Sequence, residues 1–348
     1  MHEAARSLLE WYPLHARDLP WRKDIEPYHI WLSEIMLQQT RAQTVEAYYL
    51  RFLSRLPDIT ALIEAEEETV VKLWEGLGYY NRARNLQKAA IEIRSRFGGK
   101  FPSTYAEILS LPGIGRYTAG AIGSICFGLP TPAVDGNVIR VLSRLNESPE
   151  PADTDEFKTK AEATLLPVYQ ALTPSERGML TQALMELGAC VCVPNGIPFC
   201  ESCPLKKYCS SGKNGTWANY PVRREKKKRR RITKTVLVLR CGDRIAIRKR
   251  PNDGLLASLW ELPNKDTQNE SLCADPSHAA DFAVSLGVAP RELLGSSEYK
   301  HIFTHVEWQM TCYSFTCAEP TGDLTWVTNV ELRGKYALPS AFRPFLTE

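Results

Sequence analysis

The stretch "LPGIGRYTAG", Leu111 to Gly120, limits the fold more than any other. Before it, "PSTYAEILS" carries Thr104 and Glu107 in capping-box spacing, which predicts a helix start. Pro112, Gly113, Ile114 and Gly115 then break that helix, and "RYTAGAIGSICF" begins another at once. Two glycines one residue apart permit a tight turn and let another backbone come close. The new helix starts with unpaired N–H groups, which suits a phosphate. An ordinary corner between two helices has the same pattern.

The texture of the chain changes once. Residues 1–210 read as helical, with apolar residues at helical spacing in "HIWLSEIMLQQTRAQTVEAYYLRFLSRL", "EETVVKLWEGL", "RARNLQKAAIEIRSRF" and "ERGMLTQALMELGACV". Residues 211–231 have little apolar content and read as a basic linker. Within it, 223–231 holds eight positive residues and one negative, so the rest of the chain is net negative despite the overall +3. Net charge alone therefore argues little for nucleic acid, and such a case must rest on sites. Residues 232–348 bring β-rich runs, "TKTVLVLR", "DRIAIRKR" and "EWQMTCYSFTC", and predict a smaller α+β domain. No apolar run approaches the roughly 18 residues of a membrane span, and "MHEAARSLLEWYP" lacks a signal-peptide layout. A cytoplasmic chain with no membrane partner is expected.

Five of the ten cysteines fall between 190 and 209. A disulfide scaffold would be small and secreted, so ligation is the better reading. Cys192, Cys200, Cys203 and Cys209 put four thiolates in one loop, and the spacing alone leaves structural zinc and a [4Fe–4S] cluster open. Cys190 is a nearby substitute for the first ligand.

"LPGIGRYTAGAI" followed by "GLPTP" and "VDGNVIRVLSRL" resembles the helix-hairpin-helix DNA glycosylases. With "WLSEIMLQQT" and "GLGYYNRARNL" upstream, the chain resembles their adenine DNA glycosylase branch, the MutY family. The resemblance implies a mainly α helix-hairpin-helix domain whose cysteine loop holds a [4Fe–4S] cluster, followed by a Nudix-like α+β domain. It implies a monomer acting on double-stranded DNA, removing adenine opposite 8-oxoguanine or guanine. The family's first cysteine gap is commonly six residues, and "VPNGIPF" makes it seven here. Lys206 and Lys207, between the last two ligands, are placed to meet phosphates.

Hydrolysing an N-glycosidic bond needs a proton for the leaving base and an anion beside the cationic sugar. Glu34 sits among Ile30, Trp31, Ile35, Met36 and Leu37, where burial would raise its pKa and suit it to general acid work. Asp135 precedes a helix whose N-terminus favours an ionised carboxylate. Singly, these read as a surface glutamate and an N-cap; the resemblance makes them the catalytic pair. Tyr117 stands where the related endonuclease III-like enzymes carry an imine-forming lysine, so the resemblance implies base release without that imine, with Tyr117 lining the sugar pocket.

A base in duplex DNA must be flipped out before such chemistry. "LQQT" offers Gln39 and Thr40 at a helix position near Glu34, and "GLGYY" offers Leu77 and Tyr79; by resemblance these segments intercalate and touch the opposing base. Gln182 and Glu186 share a helix face at i, i+4, and by resemblance they face the flipped adenine and its amino group. Arg22 is a pocket candidate, with an exposed salt bridge equally open. By resemblance, Gly113 and Gly115 form the hairpin turn that faces DNA. Phe303, Thr304 and His305 stand where the family commonly has Phe-Ser-His, the element that senses 8-oxoguanine. The glutamate-rich element of Nudix hydrolases is absent after "WELP", so nucleotide hydrolysis is not expected. Two rivals follow: an endonuclease III-like glycosylase/lyase, and a non-catalytic iron–sulfur DNA-binding protein.

Overall fold

The computed structural model describes residues 1–225, 228–267, 273 and 275–346. Lys226 and Lys227 of the basic run, and residues 268–272 and 274 after "WELP", lie outside the described residues. In chain order the α-helices are α1 (His2–His15), α2 (Pro27–Leu37), α3 (Ala42–Arg55), α4 (Ile59–Glu64), α5 (Glu67–Leu73), α6 (Asn81–Phe97) and α7 (Tyr105–Leu109). They continue with α8 (Arg116–Phe127), α9 (Gly136–Asn146), α10 (Asp155–Gln170), α11 (Pro174–Cys190), α12 (Ser210–Asn214), α13 (Pro276–Ser285) and α14 (Asn329–Gly334). The chain forms two compact units: Met1–Ala65 with Arg84–Glu225, and Glu66–Ala83 with Lys226–Glu348. Among the described residues no helix is long and apolar enough to cross a membrane.

In the helical unit, α2 is buried almost all round, and Trp31, Leu32 and Met36 have no exposed surface. The run from His29 through Leu56 is not one helix. Gln39 takes φ 59°, so α2 ends at Leu37 and α3 starts at Ala42. Gln39 and Thr40 therefore occupy a turn rather than a helix. Thr104 caps α7 as its spacing predicts, accepting from the Glu107 N–H at 3.3 Å. At the hairpin, Gly113 has φ 78°, and a Cβ there would come within 2.6 Å of the Asn85 Cβ.

Glycines also let three helices close on one another. A Cβ at Gly120 of α8 would meet the Pro132 carbonyl oxygen at 2.4 Å, and one at Gly188 of α11 would meet the Asn137 Cβ of α9 at 2.5 Å. Between α8 and α11 the Ser124 and Thr181 hydroxyls stand 2.8 Å apart, and Tyr169 bonds the same Thr181 hydroxyl at 2.8 Å. Residues 211–222, read from sequence as linker, are tied to this unit: Asn214 and Thr216 bond the Glu147 carboxylate, and the Ala152 N–H donates to the Val222 carbonyl at 2.9 Å.

The second unit is built on β1 (Arg230–Cys241), β2 (Arg244–Lys249), β3 (Trp260–Glu261), β4 (Asn264–Asp266), β5 (Pro290–Ile302), β6 (Val306–Cys317) and β7 (Thr325–Thr328). The order is β3-β2-β1-β6-β5, with β4 paired to β1 and β7 to β2. β1 runs parallel to β6, and β5 is antiparallel to β6. Val236 and Val238 enter one apolar cluster with Trp308 and Met310, while Leu237 and Leu239 enter another with Phe282 and Phe315. β1 is thus covered on both faces, which explains its unbroken apolar run.

Gly120→Ala should cost about 1–3 kcal/mol, the usual range for overpacking a close contact. Gly115→Ala, where a Cβ meets nothing within 4 Å and only the N-cap preference of α8 is lost, should cost less, about 0.5 kcal/mol. Urea denaturation compares the two, and equal effects would mean that the α8 contact relaxes freely.

Candidate active site

A cavity of about 890 Å³ opens in the helical unit. Glu34 comes from α2, Tyr117 from α8 and Asp135 from the N-cap of α9, and all three line it. Glu34 is 5% exposed, and the Tyr117 hydroxyl donates to its Oε2. Burial pushes the Glu34 carboxyl up to about 7, against the lowering hydrogen bond from Tyr117, with a further upward push from Asp135. The same burial and the facing carboxylates hold the Tyr117 phenol well above its ordinary value, so it remains a donor.

Asp135 caps α9 by accepting the Val138 N–H at 2.8 Å and the Asn137 amide at 2.7 Å. A helix N-terminus alone would lower its pKa. The structure reverses that expectation: desolvation dominates and raises it, with the hydrogen bonds from Val138 and Asn137 and the Arg140 charge only partly offsetting the cost. Asn137 is held in turn by Arg140 at 2.8 Å, and Arg140 also reaches the Cys192 carbonyl at 2.7 Å.

Gln182 and Glu186 of α11 also line the cavity, one turn apart. Glu186 is fully buried, yet it is saturated with donors. Its Oε1 accepts from the Arg17 backbone N–H at 3.0 Å and Arg17 Nε at 2.7 Å; its Oε2 accepts from Arg17 Nη2 and Arg22 Nη2, each at 2.8 Å. Burial would raise its pKa, but the donors outweigh it and bring the carboxyl down to about 2. Arg22 therefore makes a pocket ion pair, with its side chain 14% exposed, rather than an exposed bridge. The Gln182 Oε1 accepts from the Tyr12 hydroxyl at 2.9 Å, which leaves the amide N–H₂ as its free donor. Sequence reasoning missed Tyr12 and Arg17, each about 170 residues from its partner, and Lys158, which lines the cavity paired with Asp155 at 2.9 Å.

Gln39 and Thr40 line the same cavity; Gly113 and Gly115 are not among its lining residues. The remaining DNA-contact candidates belong to the second unit. Phe303, Thr304 and His305 form the turn between β5 and β6, where the Phe303 ring stacks edge-on against His301 at 4.6 Å and Trp308 at 4.8 Å. Thr304 and His305 are exposed. The Tyr79 hydroxyl lies 2.7 Å from the Thr304 hydroxyl. Leu77, expected as a wedge, is buried, whereas Tyr79 is exposed.

Cys192, Cys200, Cys203 and Cys209 line one small cavity of about 30 Å³ together with Arg144 and Trp217. Cys190 does not line it; its thiol points to Glu186 Oε1 at 3.6 Å. Among the described residues no three His, Cys, Asp or Glu side chains form a group that could hold a single metal ion. Burial and the neighbouring cysteines push the Cys203 thiol up to about 11. Bound cations would reverse that cost, since they favour thiolates. Arg144 donates to the Cys192 sulfur at 3.3 Å and to the Val193 carbonyl at 3.0 Å.

The family described as "HhH-GPD superfamily base excision DNA repair protein" matches residues 32–166, and the NUDIX domain family matches 235–348. The adenine DNA glycosylase of Buchnera aphidicola is 39% identical over 77% of this chain and 75% of its own length. That of Arabidopsis thaliana is 38% identical over 86% of this chain, which spans only 55% of the plant protein. A solved thermostable thymine-DNA glycosylase is 26% identical with a TM-score of 0.54, covering 60% of this chain and 95% of its own.

The drop of the Glu186 pKa from 4.5 to about 2 is worth roughly 3 kcal/mol of stability. Because the folded value is depressed, that contribution is present above about pH 4.5 and is lost as pH falls toward about 2. Glu186→Gln should therefore be destabilised by up to about 3 kcal/mol at pH 7, with the deficit shrinking below about pH 4.5. Urea melts across pH check this, and a pH-independent difference would contradict it.

Proposed function

The chain belongs to the adenine DNA glycosylase family, and from that premise we propose that it excises adenine mispaired with 8-oxoguanine or guanine, as a monomer acting on double-stranded DNA in the compartment that holds the DNA. The observation that carries this reading is the shared cavity of Glu34, Tyr117 and Asp135, in which one carboxyl titrates near neutrality. Tyr117 occupies Glu34 Oε2 as a donor, which leaves Oε1 to carry the acid proton. Protonated Glu34 gives that proton to the departing adenine as the glycosidic bond breaks and its electron pair leaves with the base. The Asp135 carboxylate, fixed by Val138 and Asn137, lies beside the resulting sugar cation. Glu34, now a carboxylate, takes a proton from the water that adds to the sugar. Gln182, through its amide N–H₂, and the arginine-held end of the cavity receive the base, while Gln39 and Thr40 line the approach.

For the opposing base the candidates are Tyr79 and Thr304, joined by their hydroxyls. 8-Oxoguanine differs from guanine by an oxygen at C8 and an N–H at N7, and one hydrogen bond to either contributes about 0.5–1.5 kcal/mol. The four thiols around one cavity fit a [4Fe–4S] cluster, with Cys192 rather than Cys190 as the first ligand. When bound, the cluster supplies order to the loop, and it takes no part in the bond-breaking steps.

Glu34→Gln should bind substrate DNA and lose about 10²–10⁴-fold in single-turnover adenine release. In the wild type, release should fall about tenfold per pH unit above about 7, where Glu34 gives up its proton. Tyr117→Phe removes the bond that lowers the Glu34 pKa, so this limb should move to higher pH. A flat profile would sink the acid assignment. Borohydride should trap little enzyme on DNA, and strong trapping abolished by Lys158→Met would instead mark a glycosylase/lyase. Purified protein should carry about four irons and four sulfides per chain, with Cys200→Ser losing both. Stoichiometric zinc in iron-replete anaerobic protein would replace the cluster in this account.

A further inference from the structure

Residues 66–83 precede most of the helical unit in sequence but group with the C-terminal unit. Two charged side chains, one on α5 and one just after it, tie them there. Lys72 Nζ donates to the Tyr336 carbonyl at 2.8 Å and the Leu332 carbonyl at 3.4 Å. These groups lie at and just past the C-terminal end of α14, where carbonyls lack helical partners and a cation is favoured. Glu75 completes the clasp. It pairs with Lys72 at 2.7 Å, accepts the Leu338 N–H at 2.9 Å and meets Arg343 at 3.3 Å. The Lys72 and Glu75 side chains are only 19% and 16% exposed, unlike a solvated surface pair.

The turn that follows is held by its own hydrogen bonds. The Trp74 indole donates to the Gly78 carbonyl at 3.2 Å, and the Arg82 guanidinium donates to the Leu77 and Gly78 carbonyls at 3.1 and 3.0 Å. Tyr79 is held at φ 49°, a conformation that a non-glycine residue keeps only where its surroundings enforce it. Its hydroxyl then reaches Thr304.

We propose that the Lys72–Glu75 clasp is a positioning device that sets Tyr79 against Thr304 and thereby fixes the discrimination of the base opposite adenine. This rests on the reading of Tyr79 and Thr304 as the contacts to that base. Lys72 and Glu75 act through Tyr79, so they are positioning residues rather than contacts.

The test is single-turnover adenine release by the full, cluster-loaded chain on A:8-oxoguanine and A:G duplexes. Wild type, Glu75→Gln, Thr304→Ala and the double variant are compared. Glu75→Gln should shrink the ratio of the two rates by about two- to thirteen-fold, the range of one hydrogen bond. It should leave the rate on A:G within about twofold. Because both changes break the same contact, the double variant should lose no more than the more affected single variant. Arg343→Met, at the exposed edge of the clasp, should give a smaller loss in the same direction and keeps the test alive if Glu75→Gln does not fold. Full retention of the ratio by the clasp variants, or multiplied losses in the double variant, would overturn the clasp while leaving the reading of Thr304 intact. A wild type with no preference between the duplexes, or a Thr304→Ala variant with the full preference, would overturn that reading and the clasp with it.

Discussion

The hydrogen bond that Tyr117 gives to Glu34 joins α8 to α2, and among the described residues no cation hydrogen-bonds the carboxyl. Burial raises the Glu34 pKa most, the neutral Tyr117 donor lowers it, and through space Asp135 raises and Arg22 lowers it. Arg22, which lines the same cavity, is committed to Glu186 instead. One cavity thus holds a glutamate ionised down to about pH 2 and another that titrates near 7. The difference is made by the number and charge of the donors each receives, since both are buried.

Helix α9 ties Asp135 to the cysteine loop. Asp135 caps its first turn, Arg140 holds both Asn137 and the Cys192 carbonyl, and Arg144, one turn further on, reaches the Cys192 sulfur. Arg140 and Arg144 are both buried, and their donors go chiefly to backbone carbonyls. A change in the order of the cysteine loop therefore acts on the same rigid element that sets the position of Asp135.

Local signals in the sequence revealed much of this architecture. The N-cap at Thr104, the glycine turn before α8 and the β-rich run of β1 each follow from short-range rules, and the structure follows them. β5 did not declare itself, because nearly all its residues are exposed and no apolar alternation marks it. Gln39 ended a helix that periodicity would have continued, since a positive φ leaves no trace in an apolar pattern. Glu34 was legible from its apolar neighbours, and Tyr117 from its place after the turn. Tyr12 and Arg17 were not, because their roles exist only once α1 and the segment after it meet α11. The sign of the Asp135 shift was equally hidden: a cap position is local, but desolvation is a property of the whole cavity.

The clasp at Glu75 has a consequence for how the chain is made. Its partner Leu338 lies 263 residues further along. At synthesis rates of about 5–20 residues per second, α5 emerges some tens of seconds before its partners exist. During that interval the helical unit can fold as its own sequence emerges, but residues 66–83 cannot reach their final contacts. Closing so long a loop is slow compared with local helix formation. Residues 66–83 therefore wait for partners more than 250 residues downstream before their packing is complete, and a chain truncated before residue 338 leaves them unfinished.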